Sequence, residues 1–337
     1  MRAAFLIKPG VIEVRDVPVP PPSAGDVLVR IESALTCGTD LKAYLRGHPL
    51  IPTPGVFGHE FSGTVASVGT GVKGFKDGDQ VMAVHSAPCR KCPYCRKRLY
   101  NLCERIMSTK ILGAFAEYIL LPAHIVRQNL FHKPPTLSFE EAALLEPLSC
   151  VVHGMKGLRL GPGDTVLVLG SGPIGLLHLL LARRRGATVI MAGLEDDRLA
   201  LAQRLGAQKA VKPQHLKEMV IGRTDSLGAD VVFECTGQVG VWETSVHYVR
   251  RGGTVVLFGG CPGGTTVTYD THRLHYDEIA LRGVFHYTSR DVREAFRLLS
   301  AGLDLSALIS GTCRLDDLPL AFERLARGEG VKYVISP

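Results

Sequence analysis

The second half of the chain alternates short apolar runs with longer segments of helical pattern. The clearest run, Thr165–Leu169, is continuous and of strand length, and the apolar helical pattern after it ends at Gly186. Basic residues in a last turn and a glycine just beyond it are typical of a helix end. The alternation continues through Val189–Met191, Asp197–Leu205, Val231–Phe233, Val241–Val249, Val255–Phe258 and Ile279–Val284. It predicts βαβ units that form a doubly wound parallel sheet covered on both faces.

The first 150 residues have a different pattern, with short strand-like runs separated by Gly, Pro and Asp. Val27–Ile31, Gly63–Val68 and Gln80–Val84 are of this kind, and such runs predict a β-rich region. After about residue 285 the strand–helix alternation ceases. We therefore expect the C-terminal tail to lie outside the parallel sheet.

Composition narrows the class of protein. Hydrophobic residues make up 46% of the 337 residues and charged residues 21%, which excludes a collagen-like or wholly disordered chain. The net charge of +7 favours anionic small molecules as ligands, but the charge is too dilute to indicate nucleic-acid binding.

No apolar run reaches the length of a membrane span and no signal peptide is evident, so we expect a cytoplasmic protein. In that compartment, nine cysteines indicate metal ligands and free thiols rather than disulfides.

Four cysteines occur within a short basic segment, at Cys89, Cys92, Cys95 and Cys103. Two-residue gaps let a tight loop present successive thiolates to one tetrahedral zinc ion. With all four positions occupied, such a zinc would be structural. Free surface thiols and an iron–sulfur cluster remain alternatives.

A second candidate set is dispersed. Cys37, His59 with Glu60, and Glu146 would together supply a thiolate, an imidazole and a carboxylate to a zinc ion with an open position. Each residue taken singly could equally be a core residue, and spacing alone does not show that they converge.

The third candidate is a glycine motif directly after the strand Thr165–Leu169. Gly170, Gly172 and Gly175 form G-x-G-x-x-G, and Pro173 suits the first helical turn. The glycines would allow a tight turn, a close approach of the pyrophosphate and close helix–strand packing. Gly193 stands where a carboxylate usually binds the ribose, and Arg198 could pair with a 2′-phosphate. Glu195, Asp196 and Asp197 would oppose that phosphate, so the choice between NAD and NADP stays open, with a slight lean towards NADP. Any glycine-rich βα turn would fit the same pattern.

Together these residues resemble the zinc-dependent medium-chain dehydrogenase/reductase family, in particular its sorbitol and threonine dehydrogenase branch. The resemblance spans almost the whole chain. It is carried by Cys-Gly-Thr-Asp at 37–40, Gly-His-Glu at 58–60, the four-cysteine segment, Gly-Ala-Phe-Ala-Glu-Tyr at 113–118, Glu-Pro-Leu-Ser at 146–149, the glycine motif and Glu-Cys-Thr-Gly at 234–237.

The resemblance implies a GroES-like catalytic domain at residues 1–150 and 285–337, with a structural zinc lobe at 88–104, and a Rossmann cofactor domain at 151–284. It places Cys37, His59, Glu60 and Glu146 around a catalytic zinc, so that each chain would hold two zinc ions. It also implies a homodimer or homotetramer, with no nucleic-acid or membrane partner. The implied cofactor contacts are Gly170, Gly172, Pro173, Ile174, Gly175, Gly193, Arg198, Cys235 and Thr236, and the pocket candidates are Tyr44, Phe57 and Tyr287.

The resemblance further implies reversible oxidation of a secondary alcohol, of polyol, cyclitol, sugar or amino-alcohol type, by hydride transfer to NAD(P)+. Thr39 would accept the hydroxyl proton, and Glu146 would tune the metal. A zinc-free reductase of enones or quinones, and more remotely a zinc-finger nucleic-acid-binding protein, are the alternatives.

The sequence also departs from the family. Lys42 replaces a frequent histidine, and His286 replaces the arginine found before the tyrosine in sorbitol dehydrogenases. Because of these departures, the resemblance supports an inference about the reaction class more strongly than one about the substrate.

Overall fold

The computed structural model describes all residues from 1 to 337. The chain divides into two compact units, unit 1 comprising Met1–Cys150 and His286–Pro337, and unit 2 comprising Val151–Phe285. The strands are β1 Arg2–Lys8, β2 Val11–Asp16, β3 Val27–Leu35, β4 Gly55–Val56, β5 Glu60–Val68, β6 Gln80–Val84, β7 Tyr118–Leu121, β8 Leu130–His132, β9 Thr165–Leu169, β10 Thr188–Ala192, β11 Lys209–Val211, β12 Ala229–Glu234, β13 Val249–Leu257, β14 Ala280–Gly283, β15 Ile309–Arg314 and β16 Lys332–Ser336. The helices are α1 Gly38–Arg46, α2 Pro93–Arg96, α3 Ala123–Asn129, α4 Phe139–Ala143, α5 Leu145–Gly154, α6 Pro173–Arg184, α7 Asp196–Arg204, α8 Leu216–Arg223, α9 Val239–Ser245, α10 Thr271–Tyr276, α11 Ser289–Ser300 and α12 Leu318–Ala326.

Unit 1 is built on a mostly antiparallel sheet in the order β15-β16-β3-β5-β6-β8, with β7 also paired to β3 and a smaller sheet β2-β1-β4. Its core contains the aromatic side chains of Tyr44, Phe57, Phe61, Phe115 and Phe322. The long central strands β3 and β5 present buried side chains to this core. Strand β3 ends two residues before Cys37, and β5 begins at Glu60.

The C-terminal segment completes the sheet of unit 1. Strand β16 pairs antiparallel with β3, with Val334 opposite Leu35. The prediction that strand–helix alternation ceases after about residue 285 is wrong, because α11, β15, α12 and β16 follow in turn. The sequence of strand β15 has no continuous apolar run, and its residues alternate between half-buried and exposed. Its pattern therefore differs from that of the buried strands in unit 2.

Unit 2 contains one parallel six-stranded sheet in the order β11-β10-β9-β12-β13-β14. This is the doubly wound Rossmann order, whose direction reverses between β9 and β12. The central strands are buried along nearly their whole length, as expected where helices cover both faces. The Rossmann prediction is confirmed, and strand β9 has the predicted bounds.

One helix in unit 2 is shorter than predicted. The pattern Val241–Val249 predicts a helix to residue 249, whereas α9 ends at Ser245 and Val249 begins β13. Val249 is buried and lies opposite Ala229 of β12. The half-buried Arg250 and the exposed Arg251 follow it within the same strand, and their polarity hides the start of the strand in the sequence.

Candidate metal and cofactor sites

The four cysteines of the basic segment converge in unit 1. Their sulfur atoms all lie within 4.8 Å of one another, and Cys89 Sγ is 4.0 Å from Cys95 Sγ. Four thiolates bound at 2.3 Å to a tetrahedral zinc ion would be about 3.8 Å apart, so the arrangement fits a zinc ion. Backbone N–H groups, first that of Lys91, lower the pKa of the Cys89 thiol to about 6, which favours a thiolate ligand.

The dispersed set also converges in part. Ligand atoms of Cys37, His59 and Glu60 lie within 4.8 Å of one another. Cys37 is the N-cap of α1 and Glu60 is the first residue of β5, so two elements fix the spacing. One carboxylate oxygen of Glu60, Oε1, is buried without a hydrogen-bond partner. A soft thiolate, an imidazole and an unpaired carboxylate oxygen are a donor set that fits zinc.

Asp40 orients His59, a relationship that the sequence analysis missed. The fully buried Asp40 carboxylate lies 3.3 Å from Nδ1 of His59. Burial alone would lower the pKa of His59, but the charges of Asp40 and Cys37 raise that pKa well above its usual value. A carboxylate on one ring nitrogen fixes the imidazole and leaves the other nitrogen for a metal. The Cys-Gly-Thr-Asp motif contains Asp40, so its signal was present.

Lys332 neutralises Glu60 and was also missed. Its ammonium group is buried and donates to Oε2 of Glu60 and to the Thr36 carbonyl oxygen, the latter at 2.8 Å. Burial raises the pKa of Glu60, and the Lys332 charge opposes that rise. The two residues are 272 positions apart, and no local sequence signal connects them.

Glu146 does not join the Cys37 group but lies beside two histidines. Its carboxylate on α5 forms a separate cluster with His85 and His286, and its Oε1 is 3.5 Å from Nδ1 of His85. Burial raises the pKa of Glu146 to about 7, while burial lowers the pKa of His85 well below its usual value. Cys150 Sγ donates to the same carboxylate oxygen at 3.7 Å.

The remaining predicted residues of unit 1 have mixed environments. Thr39 is half-buried in the first turn of α1, and its N–H donates to Cys37 Sγ at 3.5 Å. Tyr44 and Phe57 are buried in the apolar core, where both rings pack on Phe322. Tyr287 is also buried, but its hydroxyl is hydrogen-bonded.

The glycine motif of unit 2 forms the turn between β9 and α6. Gly170 has φ +111°, and a Cβ on Gly175 would lie 1.9 Å from the Gly170 carbonyl oxygen. A Cβ on Gly172 would meet no protein atom within 4 Å. Pro173 and Ile174 open α6, whose N-terminus attracts anionic groups. The turn therefore offers backbone amides and free space to a pyrophosphate.

The residue directly after β10, Gly193, has no room for a side chain. A Cβ on Gly193 would lie 2.1 Å from Ser171 Oγ, and that hydroxyl donates to Glu195 at 3.3 Å. Arg198 lies 3.6 Å from the same Glu195 carboxylate. Arg198 and Glu195 thus occupy the region where the sequence analysis predicted selection between NAD and NADP.

Cys235 and Thr236 follow β12, the strand beside β9. The Thr236 N–H donates to Glu234 Oε1 at 2.7 Å, and the Thr236 methyl group would be 3.1 Å from a Cβ on Gly170. Both residues therefore lie next to the glycine turn, at the switch point of the sheet.

A parallel sheet with a glycine turn at its switch point, together with two metal-ligand groups of zinc type, defines a zinc-binding, nicotinamide-dependent oxidoreductase. Residues 23–131 match the family described as "Alcohol dehydrogenase GroES-like domain", and residues 173–301 match "Zinc-binding dehydrogenase". D-xylulose reductase A of Aspergillus oryzae is 32% identical over 96% of this chain and 93% of its own length. Sorbitol dehydrogenase of Bacillus subtilis is 31% identical over 100% and 97%.

Among solved structures, a zinc-binding dehydrogenase of Sinorhizobium meliloti 1021 bound to NADP is 33% identical, with a TM-score of 0.89 over 100% of this chain and 99% of that one. The chain belongs to the zinc-dependent medium-chain alcohol dehydrogenase family, and it is an oxidoreductase acting on CH–OH groups. The structure contains no helix with the length and hydropathy of a membrane-spanning segment.

Proposed function

We propose that this chain oxidises a secondary alcohol of polyol type to a ketone by transferring hydride to NAD(P)+. This proposal rests mainly on one observation: the ligand atoms of Cys37, His59 and Glu60 lie within 4.8 Å of one another. The names of the relatives, a xylulose reductase and a sorbitol dehydrogenase, support polyols as the substrate class.

We propose two zinc ions per chain, one held by the four cysteines and one by Cys37, His59 and Glu60, with Glu146 tuning the second position. When bound there, zinc supplies a Lewis acid for the substrate oxygen. Asp40 holds the His59 ring in orientation, and Lys332 holds one oxygen of Glu60. Thr39, two residues from Cys37, is a hydroxyl that can accept the substrate proton and pass it on.

We propose that unit 1 is the catalytic domain and that unit 2 binds the cofactor. A carboxylate at position 193 would repel a 2′-phosphate, and Gly193 removes that repulsion. With Arg198 close by and a relative bound to NADP, this favours NADP, although Glu195 reduces the preference. A homodimer or homotetramer remains a prediction from the family resemblance.

The test is reduction of NAD+ and NADP+, each offered separately to the zinc-loaded chain with polyols, cyclitols, amino sugars, threonine and simple secondary alcohols. We expect turnover with a polyol, and a higher kcat/KM with NADP+ than with NAD+. Turnover confined to simple alcohols would reject the polyol class. Equal or better use of NAD+ would reject the cofactor preference.

A further inference from the structure

A buried carboxylate of unit 2, that of Glu234, is not used by the function proposed above. Glu234 is the last residue of β12, the strand beside β9, and it is fully buried. Its Oε1 accepts the N–H of Thr236 at 2.7 Å, the N–H of Gly237 at 3.2 Å and the Thr236 hydroxyl. One carboxylate oxygen therefore holds three donors of the turn that follows the strand.

Hydrogen bonds, and not an ion pair, compensate the charge of Glu234. Burial raises the pKa of this carboxyl group, and the donors of Thr236, Gly237 and Trp242 oppose that rise. No basic side chain forms an ion pair with the carboxylate. A buried carboxylate costs free energy unless donors satisfy it, and hydrogen bonds to a charged acceptor are stronger than neutral ones. The carboxylate and the turn therefore stabilise each other.

The N–H and the hydroxyl of Thr236 are both engaged within this turn. Besides donating to Glu234, the hydroxyl accepts the N–H of Gln238 at 3.1 Å. The methyl group lies towards the glycine turn, where a Cβ on Gly170 would be 3.1 Å from it. Thr236 therefore presents an apolar group, and not its hydroxyl, to the turn that would receive the pyrophosphate.

Glu234 also fixes the turn that follows β13. Its backbone carbonyl oxygen accepts the N–H groups of Phe258 and Gly259, both at 2.9 Å. Gly259 packs against the carboxylate, since a Cβ there would lie 2.9 Å from Glu234 Oε2. A Cβ on Gly237 would lie 2.5 Å from the Gly260 carbonyl oxygen, so the two turns are in direct contact. One residue thus joins the turns at the carboxyl ends of two neighbouring strands, where cofactors bind in this fold.

We propose that Glu234 is a positioning residue for the cofactor: its carboxylate fixes the turn at residues 235–237 and so sets the Thr236 methyl group against the glycine turn. This role rests on the proposed function, because it requires that unit 2 binds NAD(P). Without the carboxylate, the N–H groups of Thr236 and Gly237 lose their acceptor and the turn loses its fixed geometry. Binding would then have to reorder the turn, and that ordering lowers the affinity for the cofactor.

The first test is the affinity of the full chain for NADPH and for NADH, each measured by fluorescence titration. Glu234→Gln keeps the size of the side chain but removes its charge and one acceptor oxygen. We expect the Kd and the cofactor KM to rise about tenfold. The kcat at saturating cofactor should stay within about twofold, because no transition-state contact is lost. A structural role alone would lower the melting temperature without changing the Kd of the folded chain.

Asp164→Asn is the matched control. Asp164 precedes β9, and its carboxylate accepts the N–H of Gly161 at 2.7 Å. The variant therefore also removes a charge that holds a turn of unit 2. That turn lies at the amino end of β9, whereas the glycine turn follows the carboxyl end of the strand. We expect the control to leave the Kd and the cofactor KM unchanged.

Hydrogen–deuterium exchange of the cofactor-free chain tests the turn itself. Peptides that cover residues 235–238 should exchange about tenfold faster in Glu234→Gln than in the wild type or in Asp164→Asn. Thr236→Ser keeps both donors to Glu234 and removes the methyl group. Its exchange should stay slow, while its Kd for the cofactor should rise about threefold through the lost apolar contact.

The outcomes separate this role from the proposed function. If the wild type binds neither NADPH nor NADH, the proposed function fails and the positioning role fails with it. If the wild type binds a cofactor and Glu234→Gln binds it equally well, only the positioning role is overturned. Faster exchange in Glu234→Gln with unchanged affinity overturns that role as well, because Glu234 would then order the turn without serving the cofactor.

Discussion

At the scale of single residues, His178 is a buried titratable group to which no function has been assigned above. It is fully buried on α6 of unit 2, between Phe233 and Phe258. Its Nδ1 pairs with the Ile174 carbonyl oxygen at 2.9 Å, and its Nε2 has no partner. Burial lowers the pKa of this imidazole to about 4, so the ring is neutral in the folded chain at neutral pH.

This depressed pKa predicts a pH-dependent stability. The unfolded histidine titrates near 6.5, so stability is fully present above that pH and falls as the pH approaches 4. We expect unfolding of unit 2 at pH 5 to cost about 2 kcal/mol less than at pH 7.5 on account of this group. His178→Leu should abolish that part of the pH dependence in urea unfolding, and His215→Gln, at an exposed histidine of the same unit, should not. Parallel pH profiles of wild type and His178→Leu would contradict the assignment.

Residue-scale predictions from the sequence succeed where the motif is local. The four cysteines are close in sequence, and the structure brings their sulfurs together. The sequence analysis missed Lys332 because its partner Glu60 lies on a distant strand. The local sequence pattern indicates neither the burial of Lys332 nor its ion pair. His85 was missed for the same reason.

At the scale of elements, the turn between β9 and α6 assigns different tasks to two glycines. Gly175 is required by packing, since a Cβ would overlap the Gly170 carbonyl oxygen at 1.9 Å. Gly172 has open space around it, and its smallness serves the bound pyrophosphate. The sequence motif lists both glycines alike, and only the geometry separates them.

Gly175→Ala should therefore lower the thermal stability of the chain by several degrees, because backbone atoms of the turn must shift. Gly172→Ala should keep the melting temperature and weaken cofactor binding at least tenfold, measured by fluorescence titration with NADPH. Gly222→Ala, in α8 with nothing near its Cβ, is the control and should change neither, apart from a gain of up to about 1 kcal/mol in helix stability. Loss of stability without loss of affinity in Gly172→Ala would contradict this division.

Strands were easier to predict than helix ends. The predicted runs at β9 and β6 have the observed bounds, because four of the five residues in each strand are buried and apolar. The predicted end of α9 and the predicted start of β13 were wrong because Val249 is followed by two arginines, and the polarity of these residues resembles the outer face of a helix.

At the scale of the whole molecule, the sequence pattern could not predict which distant residues come together in space. The Cys37 group joins a helix cap to the start of a central strand, and β16 brings Lys332 from the end of the chain to the same place. Local periodicity predicts the elements, but the antiparallel pairing of β3 with both β5 and β16 determines which residues meet. The family resemblance supplied that expectation for Cys37, His59, Glu60 and Glu146, and the structure also brings Glu146 close to His85 and His286.

The two proposed zinc ions have different tasks, and this predicts opposite behaviour of two cysteine variants. The four-cysteine lobe has a small core of its own, with Cys95, Cys103 and Ile106 as its buried members. We therefore expect the lobe to depend on metal binding, which contributes on the order of 10 kcal/mol in small zinc domains. Cys103→Ser should lower the melting temperature and the zinc content, while the folded fraction retains turnover.

Cys37→Ser should have the opposite effect: it should lower turnover and leave the melting temperature nearly unchanged. Cys37 is the N-cap of α1, and serine is a favourable N-cap, so the helix keeps its start and the melting temperature stays close to wild type. Turnover should fall at least a hundredfold, because the thiolate ligand is lost from the proposed catalytic position. Cys313→Ser, outside both groups, should leave zinc content, stability and turnover unchanged. If Cys37→Ser kept full turnover, or if Cys103→Ser lost turnover while its melting temperature held, the assignment of the two ions would have to be exchanged or abandoned.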